Sequence, residues 1–293
     1  MSVKYPIIAI TGSSGSGAYR VGTVFNHIAW REKIKPLIIR GSAFHSYDRD
    51  EMRQAVIAAA EQGKHLSHFS PEGNRLDLLA AFLKEYAETG TGRYRSYLHT
   101  ESEARDAGGK VGGFSAWKQI PEDTDLLVYQ GLHGAYRDNE VNIAQLVDFT
   151  VGVTPIVNLE WIKKIHNDTL NRGYSLEEVK GVIENRLYDY VRHITPQFSN
   201  TDINFQRVPL VDTSNPFVAR DVPALDESIV IISFRRPQSQ DFPKLMKMIE
   251  GAFMSRPNTI VVPGGKIEYA MELLLEPVVK AMMEKRRQLI GAA

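Results

Sequence analysis

Gly12, Ser13, Ser14, Gly15, Ser16 and Gly17 have the composition of a loop that holds an anion with its backbone. They follow the apolar run Tyr5 to Ile10 and precede a stretch with helical spacing, so their N–H groups gather at a helix start, where phosphate oxygens bind. The G-x-x-x-x-G spacing is that of a phosphate loop, which needs Lys and then Ser or Thr in the next two places. Ala18 and Tyr19 stand there instead, followed by Arg20. Two readings stay open: a nucleotide-phosphate cradle without its lysine, and an ordinary strand-to-helix turn whose glycines relieve steric strain. A second group, Lys164, Asp168 and Arg172, recurs every four residues and falls on roughly one helix face. On spacing alone such a set reads first as a solvated charge ladder.

Elements that position such groups are legible in the apolar pattern. Short β-branched runs at Tyr5–Ile10, Lys35–Arg40, Asp125–Gln130, Thr150–Val157, Phe205–Asp212, Ser228–Phe234 and Asn258–Pro263 read as strands. Between them, helical periodicity covers Arg49–Gln62, Arg75–Glu88, Leu159–Arg172, Leu176–Ile194, Phe242–Phe253 and Ile267–Lys285, and Val21, Val24, Phe25, Ile28 and Ala29 mark one face of the helix after the glycine turn. Alternation of this kind implies an α/β fold over a mainly parallel sheet, with antiparallel pairing where the last strands crowd together. The Gly90–Pro121 stretch is weakly periodic and reads as a long functional loop.

Composition narrows the function classes. With 35 basic and 35 acidic side chains in 293 residues, the chain has no bulk charge to favour a nucleic-acid or membrane partner. The absence of cysteine removes disulfides, thiolate nucleophiles and cysteine-ligated zinc. No apolar run approaches bilayer length, and Met-Ser-Val-Lys-Tyr lacks the basic start of a secretory leader, so the cytoplasm is the expected address.

Longer segments add specificity: Gly41-Ser42-Ala43-Phe44-His45, Tyr94-Arg95-Ser96-Tyr97-Leu98-His99, Gln130-Gly131-Leu132-His133-Gly134, Val157 to Ile162, Pro196-Gln197-Phe198-Ser199, and Thr201 through Pro216. Together they closely resemble bacterial phosphoribulokinases, which phosphorylate ribulose 5-phosphate with MgATP, and the resemblance runs nearly end to end. It implies one P-loop kinase-like domain over residues 1–293, with a mixed sheet flanked by helices, and an assembly of several copies, commonly an octamer. It also implies that His45, Arg49, His99, Lys164 and Arg172 bind the sugar phosphate beside Asp168, that residues 12–19 bind ATP, and that Arg31, Arg235 and Arg256 form an effector site for NADH or AMP.

The chemical positions depart from the family pattern. Ser42 stands where the family has its general-base Asp, Gln130 where it has an acidic Glu near Mg²⁺, and Asn167 where it has Arg. Tyr19 and Arg20 replace hydroxyl residues that reach the metal, and Tyr19 is expected to fill part of the nucleotide site. Serine offers neither a proton-accepting charge near neutral pH nor an anionic metal ligand. These replacements lead to the expectation of a binding or regulatory subunit, alone or in a mixed oligomer with an active paralogue. The alternative is a working ATP-dependent phosphoribulokinase that relies on Asp168 and a rearranged metal site.

Overall fold

Strand β1 (Ile7–Thr11) is apolar on both faces because helices cover it from both sides: Ile8 and Ile10 enter one core and Ile7 and Ala9 the other. The computed structural model describes residues 4–13, 15–154, 156–171 and 173–291. After β1 come α1 (Ala18–Glu32), β2 (Pro36–Arg40), α2 (Arg49–Glu61), α3 (Leu76–Thr89), β3 (Arg93–Tyr94), α4 (Glu101–Ala107) and β4 (Lys118–Gln119). The central part holds β5 (Leu126–Gly131), β6 (Phe149–Thr154), α5 (Val157–His166) and α6 (Leu176–Asp189). The last part holds β7 (Ile203–Pro209), β8 (Ser228–Phe234), α7 (Phe242–Met248), β9 (Phe253–Arg256), β10 (Thr259–Pro263) and α8 (Ile267–Gly291).

The main sheet has the order β2-β5-β1-β6-β7-β8-β10-β9. Pairing is parallel from β2 to β7 and antiparallel from β7 to β9, as the crowded final strands implied. The fold is the expected α/β class, a mixed sheet with helices on both faces. One core packs α1 and α8 on the sheet through Val21, Val24, Phe25, Ile28, Met271, Leu274 and Leu275; the other packs α3 through Leu79, Phe82, Leu83 and Tyr86. Burying each such aliphatic side chain contributes roughly 1.5–3 kcal/mol, which fixes the sheet as the platform for the loops at its carboxyl edge.

Four expectations need correction. The sixth strand ends at Thr154 and Val157 already opens α5, so the strand reading to Val157 ran past the turn. The helix from Leu159 stops at His166 and continues as a wider π turn over Asn167–Asn171, which breaks the strict four-residue repeat. The Phe242–Phe253 segment is helical only to Met248; Gly251, at φ +80°, turns the chain into edge strand β9. The Gly90–Pro121 stretch is not structureless: it contains α4, whose Thr100 and Glu103 form a capping box, and the β3–β4 pair.

Candidate active site

The parallel strands end together, and Gly12, Ser42 and Gln130 lie at those ends. Arg40 pairs with Gln130, Gln130 with Ile10, and Thr11 with both Gly131 and Gly152. The ends of β2 and β5 touch closely: a Cβ on Gly41 would lie 2.8 Å from the Gly131 Cα, and one on Gly131 2.7 Å from the Gly41 Cα. Only glycine permits that approach, which brings Ser42 to the mouth of the site. Gln197 braces the same edge from below, accepting from the Ala135 N–H at 3.2 Å and donating to the Leu132 and His193 carbonyls at 2.9 and 2.7 Å. The sequence singled out its segment without giving this buried amide a role.

On the β2 side, Ser42 Oγ lies 3.2 Å from His99 Nε2, and Arg49 Nη2 donates to the His99 carbonyl at 3.3 Å. His45 stacks beside His68, with ring centroids 4.4 Å apart, and meets Tyr97 edge-on at 5.5 Å. Asn74 fixes the His45 tautomer. Its Nδ2 donates to the His68 and Ser70 carbonyls, so its Oδ1 must accept from His45 Nδ1, 2.9 Å away. Burial lowers the His45 pKa to about 4 against the opposing effect of that hydrogen bond, so the ring is neutral at pH 7 and carries its acceptor on Nε2.

The α5 side supplies the ion pair. Lys164 Nζ donates to Asp168 Oδ2, and Asn167 Nδ2 donates to Asp168 Oδ1 at 3.1 Å, so the nearly buried carboxylate is held on both oxygens. Arg172 and Ser14, both expected in the site, lie outside the described residues.

The glycine turn sits where a phosphate cradle belongs, between β1 and the first turn of α1. Gly17 precedes α1 at φ +97°, and Ser16 Oγ donates to the Ser13 carbonyl at 2.7 Å. Tyr19, expected to fill part of the nucleotide site, is 61% exposed, beside an Arg20 that pairs with Glu268 at 2.6 Å. Gln130 leans on α1, its Oε1 only 2.8 Å from where a Cβ on Gly22 would be. The proposed effector arginines stand on separate elements. Arg31 pairs with Glu272 and Glu276 of α8 at 3.3 and 2.8 Å, Arg235 donates to the Asn200 carbonyl at 3.0 Å, and Arg256 is exposed on β9.

Comparison with known proteins identifies relatives over nearly the whole chain. Residues 7–214 match the family described as Phosphoribulokinase / Uridine kinase family. The chain is 51% identical over 289 residues to the plasmid phosphoribulokinase of Cupriavidus necator, covering 98% of this chain and 99% of the relative. It is 53% identical over 289 residues to the phosphoribulokinase of Xanthobacter flavus, with the same coverage. The solved phosphoribulokinase from Rhodobacter spheroides superposes with a TM-score of 0.89 at 48% identity, covering 98% of this chain and 100% of that one. In sequence over nearly its whole length and in fold, this chain belongs to the phosphoribulokinase family.

Proposed function

We propose that the chain is an ATP-dependent phosphoribulokinase that converts ribulose 5-phosphate and ATP to ribulose 1,5-bisphosphate and ADP. The observation that carries this is the meeting of the glycine turn with the His45, Arg49 and His99 group at one sheet edge, with the Lys164–Asp168 pair following on α5, the helix whose Lys163 reaches the turn. Relatives named phosphoribulokinase at 51% and 53% identity support the working enzyme over a purely binding role. Neutral His45 offers Nε2 to a sugar hydroxyl, Arg49 and Lys164 face the ester phosphate, and Asp168 takes the nucleophile's proton. A loose phosphoryl transition state asks mainly for positioning and charge stabilisation, so the loss of a carboxylate at position 42 slows the reaction without abolishing it.

Among the described residues there is no cluster of three or more His, Asp or Glu able to cage a metal. Mg²⁺ needs no such cage when ATP phosphates and water supply most of its ligands. Gln130 at the end of β5 would offer the ion an amide oxygen, and the ion would neutralise charge on the phosphates.

A second reading is favoured by Ser42, whose hydroxyl faces His99 where a carboxylate would carry charge. Under it the chain binds ribulose 5-phosphate and acts as a regulatory or mixed-oligomer subunit. ADP release coupled to ribulose 5-phosphate decides between them. The kinase reading expects turnover above about 0.1 s⁻¹, a tenth of the lower end of the usual range, and a loss of about 10²- to 10⁴-fold in Asp168→Asn. A thermal shift with ribulose 5-phosphate but no turnover transfers support to the second reading. Assembly and effector binding belong to the same proposal. Trp30, 86% exposed beside Arg31, and Phe253 on the edge strand carrying Arg256 give apolar surface for contacts between copies, which light scattering with and without NADH would register.

A further inference from the structure

The glycine turn lacks its own lysine, yet a lysine reaches it from α5. Lys163 Nζ donates to the Gly15 carbonyl at 3.2 Å. With Gly15, Ser16, Thr154, Glu160 and Arg207 it lines a narrow crevice between the turn and the start of α5. Neighbouring residues on a helix point about 100° apart, which is why Lys164 turns to Asp168 while Lys163 turns to the loop.

We infer that Lys163 is the cation that holds the β- and γ-phosphates of ATP in this chain, supplying from α5 the charge that position 18 does not. The inference rests on the ATP-dependent reading above and adds a residue to it. The other cations nearby are already engaged. Arg20 pairs with Glu268 at 2.6 Å, and Arg207 donates to Ser228 Oγ at 3.0 Å and to the Pro223 and Ala224 carbonyls. Lys163 holds one neutral carbonyl, a partner that a charged phosphate oxygen outcompetes. Glu160 on its own helix packs so tightly that a Cβ on Gly15 would lie 2.6 Å from its Cγ. Burial and the charges of Arg207 and Arg20 lower the Lys163 pKa to about 8, with Glu160 opposing them. An arriving polyphosphate relieves that repulsion.

Calorimetric titration of the full chain with ATP, ADP, AMP and ribulose 5-phosphate tests this. Lys163→Met is expected to weaken ATP and ADP at least about tenfold, the loss of one charge-assisted hydrogen bond, and to leave AMP and ribulose 5-phosphate within twofold. Lys163→Arg should keep most of the ATP affinity, and retained sugar-phosphate binding shows that each variant is folded. ATP affinity in Lys163→Met within twofold of the parent overturns the inference while leaving the kinase reading intact. A parent chain that binds no ATP overturns both. ATP binding that depends on Lys163 without turnover upholds the residue's role and removes the kinase reading alone.

Discussion

On the β2 side of the sheet edge the candidate groups hold one another: Ser42 and Arg49 both contact His99, and His45 is fixed by Asn74 and packed on His68 and Tyr97. On the α1 and α5 side, by contrast, the glycine turn is held largely by its own backbone, by the Ser16 hydroxyl and by one lysine from outside. A side chain embedded in a network cannot change without leaving a buried partner unmet, at about 1–3 kcal/mol. A side chain projecting from a backbone turn can. His45, packed on His68 and bonded to Asn74, is of the first kind; Ser42, whose contact with His99 is exposed, belongs with Tyr19 and Arg20 to the second, and these are positions where the resemblance breaks.

Restoring charge at the strand ends tests that contrast most severely. If the network still holds the sugar correctly and only acidic groups are wanting, Ser42→Asp combined with Gln130→Glu should raise turnover by about 10²-fold or more, since a positioned general base is worth roughly 10²- to 10⁴-fold. The new carboxylate would face His99, now 3.2 Å from Ser42 Oγ. An unchanged rate in a folded, sugar-binding double variant would show that the β2 side has diverged as deeply as the loop.

Acid should damage the networked side next most strongly. Burial lowers His45 and His133 to about 4 and His68 further, although hydrogen bonds to Asn74 and Phe69 oppose the shift in the first two. The unfolded chain gains these protons as pH falls through about 6.5, whereas the folded chain resists until about 4. Their stability is therefore complete above pH 6.5 and is lost as pH falls from there toward 4, on the order of 3 kcal/mol per histidine. Urea titrations at pH 7.5, 6 and 5 should show falling stability, and His133→Gln should flatten the slope. A level profile across that range would remove the claim that this side is held by neutral, packed rings.

The same contrast explains what could be read in the sequence. Strands whose two faces are buried announce themselves as β-branched runs, so Ser228–Phe234 was placed to the residue and the α1 face was identified residue by residue. Edge strand β9 is four residues long with two-sided exposure and gave no such signal. Helix α4 did leave one, the Thr100 to Glu103 capping pair, obscured by the glycine and arginine around it. Residue types at the site were visible, but their pairing was not. Ser42 meets His99 across 57 positions and Lys163 meets Gly15 across 148, distances over which spacing says nothing. Strict helical spacing also hid the π turn at Asn167–Asn171, in which Asp168 sits.

Tyr19 gives the smallest expected effect and the finest test of the loop's tolerance. Its ring is turned to solvent, with the Arg20 guanidinium 5.5 Å from the centroid, and the Arg20–Glu268 pair ties the helix start to α8 without it. Tyr19→Ser should shift stability by less than about 0.5 kcal/mol and ATP affinity by less than about twofold. Its hydroxyl would restore one aliphatic oxygen at the helix start, so a modest gain in Mg²⁺-dependent ATP binding is consistent with a loop whose side chains are free to vary. A tenfold loss would have the opposite meaning. The tyrosine would then close over the bound nucleotide, and the loop, like the histidine cluster across the sheet edge, would depend on side chains that cannot be exchanged one at a time.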